Sequence, residues 1–125
     1  ALVILTSARV HVWGDPRLLW TDAVQHSPEK PRPWVNLGQQ YQLAGAENLA
    51  ADAYLTAIRR TSGRSYDEQV LSLAVAEANL ALVRWRQGDR QLARNLIEQA
   101  TARVPGDASL SAVSAWIYGQ SILSR

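Results

Sequence analysis

At 125 residues the chain is one domain's worth of polypeptide. Apolar residues make up 47% and charged residues 19%, with a net charge of +2, which suits a packed core and is not by itself a nucleic-acid signature. There are no cysteines, which excludes disulfides, cysteine-type zinc sites and thiol catalysis and leaves the compartment open.

Met is also absent, so we expect either a fragment of a longer protein or a processed product. Phe is absent too, and five Trp and four Tyr carry all the aromatic packing. The first five residues, Ala1–Leu5, are wholly apolar and far short of the ~20 residues a membrane span needs. They read as the tail of a span, as a mature end left by processing, or as a buried segment packed on the first helix. Arg9, His11 and Trp13 follow at once, as at a membrane interface. Leu2, Val3, Ile4 and Leu5 are therefore candidates for association with a membrane or with a second copy. We treat residues 1–14 as an apolar N-terminal segment and 15–125 as the domain.

Asp15 and Pro16 predict a helix start, an N-cap followed by Pro at the first helical position. Leu18, Leu19 and Ala23 lie on its apolar face, and the helix ends near Ser27. Pro31–Ala44 predicts a second helix, in which Trp34, Leu37 and Tyr41 share one face. Gly45 marks the turn, and Ala46–Thr61 a third helix with Ala50, Tyr54 and Ala57 on its inner side. Arg59 and Arg60 suit the negative end of that helix. Residues 61–65 read as a loop. Tyr66–Gln87 predicts one long helix. Asn79-Leu80-Ala81 matches Asn36-Leu37-Gly38, and Gly88 matches Gly45. Ala93, Ile97, Ala100 and Pro105 then continue the match. Gly45 and Gly88 lie 43 residues apart, about nine more than a regular repeat of roughly 34. The excess is placed as extra helix and loop before Ala74. Pro105-Gly106-Asp107 is a break with a new N-cap, and Ala108–Leu123 is a last helix. It is either a capping helix or the first half of another repeat.

The run Trp34-x2-Leu37-Gly38-x2-Tyr41, with Ala50, Tyr54 and Ala57 downstream, resembles the tetratricopeptide repeat (TPR). The resemblance implies an all-α, antiparallel helix-hairpin solenoid of about six helices. It divides the chain into a half repeat over 16–30, a full repeat over 31–64, an extended repeat over 65–107 and a capping helix over 108–124. Arg9, Trp13, Leu19, Trp20, Asp22, Ala23, Val24, Ser27, Pro28, Glu29, Lys30, Arg32 and Asn36-Leu37-Gly38 together look like a narrower junction. It is the one in bacterial polytopic membrane proteins whose glycosyltransferase-like region, of the protein O-mannosyltransferase type, ends in a TPR tail. That likeness implies an extracytoplasmic, membrane-associated or secreted location. It carries no catalytic residue over, because the family's catalytic loop lies in the membrane part.

The residues give no catalytic constellation. His11 and His26, near Asp15 and Asp22, lack the spacing of a metal site, so no metal and no cofactor is expected. No phosphate-binding loop and no nucleophile elbow occurs. Asp67 and Glu68 point apart on a helix and read as dipole partners, not an acid–base pair. Arg59, Arg60, Arg64, Arg84, Arg86, Arg90 and Arg94 are interrupted by acids and lack a stacking platform, which makes nucleic acid an unlikely partner. The expected partner is a protein or peptide on the concave face. The residues expected to touch it are Arg32, Asn36, Gln39, Gln42, Asn79, Leu82, Trp85 and Arg86. The family resemblance implies that Asn36 and Asn79 bond a ligand backbone; helix packing is the other reading of both. Trp85 reads as an exposed anchor or as a side chain buried against the last helix. Two functions stay open: a non-enzymatic interaction scaffold, and a self-associating subunit of a helical, filament-like assembly, joined through solenoid ends.

Overall fold

The computed structural model describes residues 16–61 and 67–123 and forms them into six α-helices. They are α1 (Pro16–His26), α2 (Pro31–Leu43), α3 (Glu47–Thr61), α4 (Asp67–Arg86), α5 (Arg90–Arg103) and α6 (Ala108–Leu123). The fold is all-α, and the five helices for which limits were expected begin and end within a residue or two of them. The Asp15 cap, the loop at 62–65 and the apolar segment with Leu2, Val3, Ile4 and Leu5 lie outside the described residues.

Two hairpins repeat one local structure. Gly45 and Gly88 take positive φ of 77° and 90°. The Gly45 N–H donates to the Gln42 carbonyl at 3.1 Å and the Ala46 N–H to the Tyr41 carbonyl at 2.8 Å. Gly88 and Asp89 do the same with Trp85 and Arg84, at 3.1 and 2.9 Å. These are Schellman caps, which close the last carbonyls of a helix and turn the chain back, and Gly enters the left-handed region without steric cost. The turn joins α2 to α3 and α4 to α5. Asp89 then caps α5 and Asp107 caps α6, through bonds from the Leu92 and Leu110 N–H groups at 3.3 and 3.0 Å.

Each helix packs on the next in the chain, and α4 also touches α2 and α6. Alanines make close approach possible: Ala50 and Ala57 in α3, and Ala93 and Ala100 in α5, are fully buried. In the first hairpin Gly38 faces the Tyr54 ring so closely that a Cβ there would lie 2.6 Å from Cε1. In the second hairpin the matching positions hold Ala81 and Ile97, again fully buried. A larger residue on one helix accompanies a smaller one on its partner.

A polar junction ties α2, α3 and α4 together. The buried Tyr54 hydroxyl donates to Gln42 Oε1 at 2.7 Å and is also hydrogen-bonded by Asn79. Burial pushes the Tyr54 pKa far up, with the Asn79 bond opposing that rise. At the next junction the equivalent positions are Ile97 and Val113, both fully buried and without polar atoms. Arg86 Nη1 reaches Glu47 Oε1 at 2.6 Å and Gln87 Nε2 reaches Asn48 Oδ1 at 2.9 Å, clipping the end of α4 to the start of α3. Among the described residues no helix is long and apolar enough to cross a membrane.

Candidate functional site

The packing of α4 on α2 and on α6 uses the helix faces that were expected to line a groove. Asn36, Gln39, Gln42, Asn79, Leu82 and Trp85 are all buried within the chain. Trp85 is only 8% exposed, and Arg90 lies over its ring with the guanidinium carbon 4.9 Å from the centroid. It is therefore a core residue roofed by a cation and not an exposed anchor. Its position matches Gln42 of the first hairpin, which is buried in the same way. Arg86 is held by Glu47. Gln42 and Asn79 meet at the Tyr54 hydroxyl and serve the helix junction.

Arg32 stands apart, because it borders a cavity. The cavity measures about 370 Å³ and lies where α1, the start of α2 and the start of α4 converge. Trp20 of α1, Pro31 and Pro33 supply flat apolar walls, Lys30 and Arg32 supply positive charge, and Gln69 and Ser72 of α4 complete it. The local sequence explains this corner. The Trp34 indole N–H donates to the Pro28 carbonyl at 2.9 Å and pins the turn between α1 and α2. Pro31 then starts α2, where its missing N–H costs no helical bond. Lys30 at the N-cap offers no side-chain cap, and the first turn of α2 holds no acid. The positive end of that helix thus adds to the two cations.

The α4 wall comes from the start of that helix, ahead of the part that matches α2. Ala74 matches Pro31, so Gln69 and Ser72 precede anything with a counterpart in α2. Two polar atoms of the lining residues, Trp20 Nε1 and Gln69 Oε1, are buried without a hydrogen-bond partner. The sequence expectation included Arg32 and missed the rest of this lining. The length excess before Ala74 was the signal for it.

No family model matches the chain, and no curated protein matches it. The site must therefore be judged by its own chemistry. A cavity of this volume falls at the lower end of the roughly 300–1,000 Å³ seen for ligand sites. A smaller hollow of about 180 Å³ lies between α2 and α3, with Trp34, Tyr41 and Leu49 in its walls and Asp52 the acid in its lining. Among the described residues no three His, Asp or Glu side chains come together as a metal site would need. Glu77 is buried with its carboxylate on Arg103, Nε to Oε1 at 2.6 Å. Burial holds this carboxyl above its ordinary range, and Arg103 opposes that rise.

Proposed function

We propose that the chain is a non-enzymatic interaction scaffold of TPR type that holds a segment of another protein against the corner formed by α1, α2 and α4. The observation that carries this is the cavity itself, walled by Trp20, Pro31 and Pro33 beside Lys30 and Arg32. Trp and Arg are the residue types that most often anchor protein partners. The twice-used hairpin, with matched glycine turns at Gly45 and Gly88, supports the repeat architecture. The extracytoplasmic, membrane-associated setting is part of the same proposal and follows from the junction-like residues between Arg9 and Gly38.

The test is selection of displayed random heptapeptides on the folded chain, repeated on Ser72→Trp, which fills the cavity. Enrichment on the parent that disappears on the variant is the expected result. Failure to enrich anything, or equal enrichment on both, would reject this corner as the binding site.

Self-association is the second reading, and one observation favours it. Leu18 and Leu19 of α1 are 70% and 44% exposed. If they seat a second copy, replacing both with Asp turns an associated species into a monomer in sedimentation velocity. A monomeric parent ends that reading.

A further inference from the structure

We infer that the hollow between α2 and α3 receives the guanidinium of an arginine side chain from a partner protein. This goes beyond the scaffold proposal, and none of the residues that line the corner takes part in it. Size is the first ground. At about 180 Å³ the hollow lies below the roughly 300–1,000 Å³ of sites for whole small molecules and suits a single side chain. Leu49 and Asp52 of its lining are exposed, so a side chain can enter from solvent. Shape is the second ground. The half-buried Trp34 and Tyr41 border the hollow two turns apart on α2, about 10 Å along its axis. The buried Leu37 lies between them. A planar cation stacks well on aromatic rings, and Trp is the best of them.

The third ground is the set of hydrogen-bonding groups left over. The Trp34 indole N–H is spent on the Pro28 carbonyl. The Thr56 hydroxyl is spent on the Asp52 main-chain carbonyl at 2.8 Å. The Asp52 carboxylate makes neither a hydrogen bond nor an ion pair with any described residue. It offers two acceptor oxygens, and the Tyr41 hydroxyl can accept as well. An anion would find its donors here already engaged. A guanidinium brings five donors and no acceptor, in a fork that matches a carboxylate. This combination also belongs to the first hairpin alone. The positions matching Trp34, Tyr41 and Asp52 in the second hairpin are Glu77, Arg84 and Asn95, and Glu77 there is held by Arg103. The hairpin thus forms without two aromatics and an acid at these places, and their meeting in the first hairpin is a feature of that hairpin and not of the repeat.

The test uses end-capped pentapeptide pools carrying a neutral dye, with anisotropy on the full chain as the readout. The central residue is Arg, its uncharged isostere citrulline, or Lys, and the other positions are degenerate among uncharged residues. The Arg pool is expected to bind about tenfold tighter than the citrulline pool. The gap should shrink when salt is raised from about 50 to 500 mM. It should vanish in Asp52→Asn, a change at an exposed position that the fold tolerates. Tyr41→Phe should keep the gap, because it keeps the ring, and Tyr41→Leu should narrow it. If Tyr41→Leu does not fold, Asp52→Asn still carries the test. Equal binding of the Arg and citrulline pools would overturn the inference. So would an Arg preference that survives Asp52→Asn, because the cation would then sit elsewhere. A Lys pool as tight as the Arg pool would overturn the guanidinium. Free ethylguanidinium competing as well as the Arg peptides would overturn the protein partner and leave a site for small cations. No binding by any pool would overturn this inference, while the corner at α1, α2 and α4 is judged separately by its own Ser72→Trp comparison.

Discussion

At the scale of single residues, Gly38 and Glu77 make the sharpest demands. Gly38 has no room for a side chain, because the ring it faces is buried and fixed through its hydroxyl. We expect Gly38→Leu to lose about 1–3 kcal/mol by overpacking. Gly38→Ala should cost less in a Tyr54→Ile background, which copies the Ala81 and Ile97 pairing. A double-mutant cycle from urea melts should show coupling of about 0.5 kcal/mol or more; additive losses would mean that the two residues do not constrain each other. Glu77 has a raised pKa, from burial first, against its partner Arg103. A carboxyl of this kind binds its proton more readily when folded than when unfolded. Its contribution to stability is fullest below the ordinary value of 4.5 and falls as pH rises through the higher folded value. Arg103→Ala strands the charge. Because the Arg103 side chain is 41% exposed, we expect a loss of about 1–3 kcal/mol at neutral pH, below the figure for fully buried pairs. The loss should be smaller near pH 4.5. Urea melts at the two pH values decide it, and equal losses would remove ionised Glu77 from the account.

Single helices were the most legible level in the sequence, because their limits are set by neighbours in the chain. Pro31, Gly45, Gly88 and the Asp107 cap fix ends through bonds that span only a few residues. Asp107→Ala should therefore cost about 1 kcal/mol, read in thermal or urea unfolding. An unchanged stability would show that the cap is idle. Side-chain environment was harder to read. From Ser72 to Val83 every residue of α4 is buried, so this helix has no polar face from which a groove could be inferred. An apolar surface all round marks a central helix. Trp85 stayed open between exposure and burial for a related reason: the cation that roofs it comes from the next helix, Arg90 of α5. Asn36 and Asn79 were legible as equivalent positions. Their burial depends on packing between hairpins, which no local pattern encodes.

For the molecule as a whole, stability should be graded from the central helix outward. α4 touches α2, α3, α5 and α6, whereas α1 packs on α2 alone among the helices. Hydrogen exchange should then be slowest in α4 and much faster in α1, because local openings start where fewest contacts are broken. Equal protection in α1 and α4 would mean that the chain opens only as a unit. The cavity belongs to this level. Its lining comes from residues as distant as Trp20 and Ser72, so only the length excess before Ala74 hinted at it.

The Tyr54 junction also sets a grammar for hairpin order. Tyr54 shares its hydroxyl with an Asn on the following helix, whereas the equivalent positions Ile97 and Val113 are buried and apolar. The 31–61 hairpin carries both halves of the polar match, since its own Asn36 occupies the place of Asn79. Copied in tandem, it can follow itself. The second hairpin cannot, because its Asn79 would meet Ile97 of the preceding copy and lose the hydroxyl. A chain with the first hairpin duplicated should melt as a single folded unit, while one with the second duplicated should fall by about 1–3 kcal/mol per mismatched junction. Ile97→Tyr together with Ala81→Gly in the first of the duplicated copies, which makes room for the ring as Gly38 does, should recover part of that loss. Word order in this small array is thus written in one hydroxyl and the amide that answers it.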